Sequence, residues 1–151
     1  SAKLIELIRN MLVREYRDEL HLFSALSPAW LATGKTIELR EAPTSFGPAG
    51  ARLEAASDGL RLSLTSHFRQ PPSRLVVHVP WFYEVAAVEC DGRPLPIRDG
   101  RLVVGPEARE ILVRGQILPG TPATSFEQAV EQYKTEHRKR HAEFLRTGEV
   151  R

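Results

Sequence analysis

The sequence predicts an antiparallel β-sandwich with a short N-terminal helix and a C-terminal helix. Three observations carry that expectation. Apolar and polar residues alternate with a period of two through the middle of the chain, turn residues recur at short intervals, and the period becomes helical at both ends. Eight or so short strands at such spacing are what two packed sheets require.

The first element is helical. Leu4, Ile5, Ile8, Met11 and Leu12 recur at helical spacing, with Lys3, Glu6, Arg9 and Asn10 between them. The charged run from Arg14 to Glu19 interrupts this pattern, and Leu20-His21-Leu22-Phe23 reads as a short strand. A loop holding Pro28 and Trp30 closes at Gly34. Alternation then begins at Thr36-Ile37-Glu38-Leu39-Arg40 and resumes at Arg52-Leu53-Glu54-Ala55. After the turn Ser57-Asp58-Gly59, Leu60, Leu62 and Leu64 share one face. Pro71-Pro72 bars a ladder, because proline has no amide hydrogen to donate. Leu75, Val77 and Val79 form the next inward row. Two primed-turn signals follow, Asp91-Gly92 and Asp99-Gly100, the latter between Pro96-Ile97-Arg98 and Arg101-Leu102-Val103-Val104. Ile111, Leu112 and Val113 close the sheet region.

Beyond Pro119-Gly120-Thr121-Pro122 the pattern is helical again. Thr124 with Glu127, and Ser125 with Gln128, match a capping box. Phe126, Val130, Tyr133 and Phe144 line one side of the expected helix; Lys134, Arg138, Lys139, Arg140 and Arg146 line the other. The chain is therefore expected to divide into a helical opening, residues 1–17, the sandwich, 18–116, and a linker and helix, 117–151.

Composition narrows the function classes. A chain of 151 residues fits one domain, and one of this size buries roughly 70% of its unfolded surface. The net charge of +2 argues for no nucleic-acid or acidic-membrane partner. Cys90 is the sole cysteine, so no intramolecular disulfide forms and the fold rests on its core. No transmembrane or signal segment is expected, which leaves the compartment open.

Chemistry-bearing motifs are sparse. The sequence has no nucleotide-binding glycine loop, no G-x-S-x-G, no CxxC pair and no H-E-x-x-H. Cys90 reads as a small hydrophobe. His137 and His141 share a helix face but lack the further ligands zinc needs, so no metal and no cofactor are expected. His67 and His78 read as isolated surface histidines on one sheet face. The basic residues from Lys134 to Arg146 are interrupted by Glu136 and Glu143 and read as a solvated helix face. No spacing identifies the paired carboxylates of a glycosidase. The cluster Trp81-Phe82-Tyr83 after Pro80 stands out, since an extended backbone would aim Trp81 and Tyr83 to one side. Trp81, Tyr83 and the loop residue Trp30 are the candidate carbohydrate-binding residues. Packing in a core or interface is the competing reading for all three.

The order of these segments resembles a known architecture. Leu20-His21-Leu22-Phe23-Ser24-Ala25-Leu26-Ser27-Pro28-Ala29-Trp30-Leu31, then Gly34-Lys35, then Ala42-Pro43-Thr44-Ser45-Phe46-Gly47, is similar to the C-terminal region of bacterial six-hairpin glycosidase-like proteins. The stretch Arg74-Leu75-Val76-Val77-His78-Val79-Pro80-Trp81-Phe82-Tyr83, followed by Asp91-Gly92-Arg93-Pro94, resembles a later part of the same module. The tail from Glu131 to Arg146 is similar to how such chains end. The resemblance runs from about Ile8 to Leu145; Glu41 departs from it, standing where a small polar residue such as asparagine is expected. It implies an (α/α)6 toroid upstream that holds the catalytic carboxylates, a glycoside hydrolase as the parent, and a non-catalytic structural sandwich packed against the toroid. The alternative is a module that holds a polysaccharide on exposed aromatics. On this resemblance residues 1–17 are the end of an upstream helical domain, and the helix stripe is expected to lie at the toroid boundary. In the chain alone its expected cover is the tail helix, through Phe126, Val130 and Tyr133, or a second copy in a homodimer.

Overall fold

The alternating segments form ten strands in two sheets, as seen in a computed structural model that describes residues 2–122 and 126–148. The smaller sheet holds β1 (Val13–Tyr16), β2 (Glu19–Leu22), β6 (Arg74–His78) and β9 (Arg101–Val104), in the order β1-β2-β6-β9. The larger holds β3 (Thr36–Ala42), β4 (Ala49–Ala56), β5 (Gly59–Leu64), β7 (Tyr83–Cys90), β8 (Arg93–Pro94) and β10 (Glu110–Ile117), in the order β3-β4-β5-β10-β7-β8. Helix α1 (Ala2–Leu12) precedes them, and one 3₁₀ turn (Pro28–Leu31) links the sheets. The sandwich class expected from the sequence is the one observed.

Every neighbouring pair is antiparallel except β2 and β6, which run parallel. Three strands of the other sheet lie between them in the chain, so the connection is a crossover and not a hairpin. The inward row is as expected. Leu60, Leu62, Leu64, Leu75 and Val77 are buried between the sheets with Leu20, Leu22, Leu102 and Ile111, while Val79 packs against them half-buried. Both Asp-Gly turns are left-handed at both residues, Asp91 (φ 48°) with Gly92 (76°) and Asp99 (49°) with Gly100 (67°). That is the primed-turn geometry matching the twist of the flanking strands. Pro96-Ile97-Arg98 forms no full strand; Arg98 alone bridges Arg101.

The sandwich begins earlier than its pattern suggests. The charged run from Arg14 contains β1, which hairpins onto β2 through Arg17 (φ 56°) and Asp18. Its charges are not loop charges. Arg14 reaches Ser24 and His21, and Glu15 reaches the Ser45 backbone amide and hydroxyl. Glu41 has a left-handed backbone, φ 44°, where the β3–β4 register shifts.

Helix α1 is anchored at its C-terminal end. The Met11 and Leu12 carbonyls accept from Ala25 and Phe23 amides at 3.2 and 2.8 Å. Arg9 donates to the Pro43 carbonyl at 2.6 Å and sits 3.7 Å from Glu15. Residues 1–121 make one compact unit and 122–151 a second. In the second, α2 (Phe126–Thr147) carries the pairs Lys134–Glu131 and Arg140–Glu136, and exposes Tyr133 and Leu145. The expected caps Thr124 and Ser125, and the Phe126 side chain, lie outside the described residues.

Candidate functional site

The outer face of the smaller sheet carries a connected polar cluster. Alternation turns Leu20, Leu22, Leu75, Val77, Leu102 and Val104 inward. The same alternation turns Arg14 and Tyr16 of β1, Glu19 and His21 of β2, Arg74, Val76 and His78 of β6, and Arg101 and Val103 of β9 outward. His21 is only 6% exposed, the one buried polar residue among those described. Its Nε2 lies 3.1 Å from Glu19 Oε2, and its Nδ1 lies 2.8 Å from His78 Nε2 and 3.3 Å from Arg14 Nη2. Arg74 donates to Glu19 through Nε at 2.6 Å and pairs with it through Nη2. Tyr16 meets the His21 ring edge-on, and Arg17 stacks over Tyr16.

These partners fix the protons. Arg74 first, and His21 second, hold the Glu19 carboxyl below its ordinary value, so it is an acceptor. His21 Nε2 therefore donates to it, leaving Nδ1 with a lone pair. Arg14 has only donors, so it agrees with that assignment. His78 Nε2 must then donate to His21 Nδ1, which leaves His78 Nδ1 as a free acceptor. That atom bonds to no described residue, and no described buried polar side-chain atom lacks a partner, so His78 Nδ1 meets solvent. Burial lowers the pKa of both rings. For His78 the neighbouring His21, Arg14 and Arg101 add to it, and the value falls to about 4. Both rings are neutral at pH 7.

His78 also lines a groove of about 520 Å³ with Phe23, Ser24, Leu26, Trp81, Phe82, Asp99 and Gly100. Trp81 is 81% exposed there, its ring edge-on to the buried Phe82 at 5.6 Å. Tyr83 is 8% exposed and packs in the core. The expected shared side of Trp81 and Tyr83 is corrected by a turn: the Tyr83 amide donates to the Pro80 carbonyl at 3.0 Å, and Trp81 and Phe82 occupy its bend. Strand parity starts only at Tyr83. Trp30, 38% exposed, lies elsewhere, on an apolar groove of about 530 Å³ with Ile8, Leu12, Ala29 and Ile37. The three candidate aromatics thus form no common platform.

The isolated-histidine reading of His78 is corrected by its 2.8 Å contact with His21. His21 carried no sequence signal beyond sitting between Leu20 and Leu22, and the pair joins strands 57 residues apart. His67 is exposed in the connection after β5. Cys90 is half-buried, its thiol pushed up by burial and then by Asp91, which opposes a nucleophilic role. His137 and His141 stack with centroids 6.4 Å apart, and no described group of three or more His, Cys, Asp or Glu could hold a metal ion. No described helix is long and apolar enough to cross a membrane.

No family model, curated protein or solved structure matches the chain.

Proposed function

We propose that the chain is a non-catalytic accessory β-sandwich of a larger glycoside hydrolase-like protein, docked through α1 on an adjoining helical domain. The observation that carries this reading is the apolar side of α1. Leu4, Ile5, Leu7 and Ile8 stay exposed although the C-terminal end of the helix is tied to the sandwich. Ile8 and Leu12 continue into the apolar groove beside Trp30 and Ile37. Apolar surface held this firmly in water suits a domain boundary. The resemblance of the strand-and-loop order to six-hairpin glycosidase-like proteins supplies the kind of neighbour.

Hydrogen exchange tests the reading in the longer protein. Amides of residues 4–10 are expected to exchange at least tenfold more slowly there than in the 151-residue chain. Equal rates would refute the docking. The isolated chain is also expected to release no reducing sugar from polysaccharides; release abolished by His78→Gln or Glu19→Gln would make it an enzyme.

A second reading is favoured by Trp81 alone: a saccharide-binding module. An indole 81% exposed at the edge of a groove is available for stacking on a sugar ring.

A further inference from the structure

We propose that the groove at His78 binds an acidic saccharide, with a sugar ring on Trp81, a hydroxyl on His78 Nδ1 and a carboxylate on Arg101. This rests on the saccharide-binding reading and adds to it the charge of the ligand and the residues that select it.

The geometry starts at the β6–β9 pair. His78 and Arg101 are direct cross-strand partners, so their side chains rise side by side from the outer face. Val79 and Gly100, joined by a 2.8 Å backbone hydrogen bond, carry the strand pair into the groove where Trp81 stands. His78 thus lines the aromatic groove and pairs across the strands with Arg101, which stands beside the groove and not in it.

The charges on that face are unevenly matched. Glu19 is engaged by Arg74 and His21. Arg14 donates only to neutral groups, Ser24 Oγ and His21 Nδ1, and among the described residues Arg101 has no carboxylate partner. Arg17 lies over the Tyr16 ring. The remaining acids nearby, Asp18 and Asp99, sit in the two turns at the ends of the face and form no ion pair with these arginines. Arg14 and Arg101 are thus two guanidiniums with no paired carboxylate, Asp99 at the groove being bonded to neither, and a ligand carboxylate beside Arg101 would complete the pairing. The neutral ring cannot serve as that cation. Its fixed tautomer instead offers a lone pair to a hydroxyl, and the Glu19–His21 hydrogen bonds hold it in that form.

A neutral sugar chain would use Trp81 and His78 but leave Arg101 idle, so charge is the discriminating variable. The test is calorimetric titration of the full chain with a galacturonate hexamer and with its carboxyl-reduced galactose counterpart, at low salt and pH 7. The acidic hexamer is expected to bind at least tenfold more tightly than the neutral one. Trp81→Ala is expected to abolish binding, and Arg101→Gln to bring the acidic hexamer down to the neutral affinity. Both side chains are exposed, and thermal melts of the two variants verify the fold. A hydroxyl donating to Nδ1 holds the ring neutral, so the acidic hexamer should also shift the His78 imidazole nitrogen resonances at pH 7, which a merely structural arginine would not do. Equal affinity for both hexamers would overturn the acidic specificity while leaving the saccharide reading intact. Binding of neither would overturn both. Inorganic sulfate bound as tightly as the hexamer, with the same dependence on Arg101, would mean that the site takes an anion alone and would likewise overturn the proposal.

Discussion

His78 shows what a single side chain can add to a sheet face. It gives His21 Nδ1 a second donor, while burial first, and the cations beside it, disfavour a charge on its own ring. In the unfolded chain a histidine titrates near 6.5, whereas His78 folded titrates near 4. Above pH 6.5 neither state binds the proton and no cost of charging the buried ring is felt. Between those values the unfolded state binds more protons, so stability falls as pH falls from 6.5 towards 4. The half-buried ring is screened by solvent, which puts the loss on the order of 1–2 kcal/mol. Urea denaturation at pH 7 and pH 4.5 should show this decrease, and His78→Gln should flatten it. A decrease of the same size in the variant would assign it to other groups. Nothing in the sequence marked this pair, because alternation says which way a residue points and not which strand lies beside it. The β2–β6 pairing that joins His21 to His78 is parallel and distant, hence invisible to local reading. Trp81 was legible as an isolated aromatic, but its separation from Tyr83 depended on one hydrogen bond of a turn.

At the scale of elements, legibility followed local signal strength. Strands β3 to β6 and both Asp-Gly turns could be read because period-two alternation and positive-φ residues are local properties. Strand β1 could not, since its charges are satisfied by Ser24, His21 and Ser45, partners that only the fold brings near. Two positions test how the larger sheet is tied together. Asp91 combines a left-handed turn backbone with carboxylate oxygens that accept from the Arg109 and Glu110 amides at 3.2 and 2.8 Å. Asp91→Ala removes these acceptors and adds turn strain, for an expected loss of about 2 kcal/mol, whereas Asp91→Asn should keep more than half of it. Denaturant midpoints compare the two; equal losses would mean that the turn backbone, not the acceptor, matters. Gly115 lies at the bulge between β7 and β10, where a Cβ would run into the Glu84 carbonyl. Gly115→Ala must therefore push two central strands apart, and is expected to cost more than about 3 kcal/mol. A melt within 3 °C of the parent would show that the bulge yields freely.

At the scale of the molecule, two outer surfaces carry features the core does not explain: the arginine face with its groove, and the apolar side of α1. The second was legible as a helical stripe, and its exposure on a well-formed sandwich follows from geometry. The last turn of α1 is pinned by Ala25, Phe23 and Pro43, so the helix cannot swing to bury the rest of its stripe. Exposed leucine- and isoleucine-sized side chains are each worth about 1.5–3 kcal/mol when fully covered. Four on one short helix, Leu4, Ile5, Leu7 and Ile8, amount to a strong drive to self-associate when the 151-residue chain is alone in solution. Mass measured by light scattering should therefore rise from monomer towards dimer as concentration increases through the micromolar range. Ile5→Lys with Ile8→Lys should hold the chain monomeric at every concentration and leave the melting temperature of the monomer within a few degrees, because neither side chain belongs to the buried core. Truncating residues 1–9 should have the same effect on mass while removing the Arg9 contacts to Pro43 and Glu15. A dimer that persists in the double-lysine variant would move the self-association to another surface. A parent chain monomeric at all concentrations would show that the exposed stripe is tolerated in water, and would remove the physical ground for the docking reading.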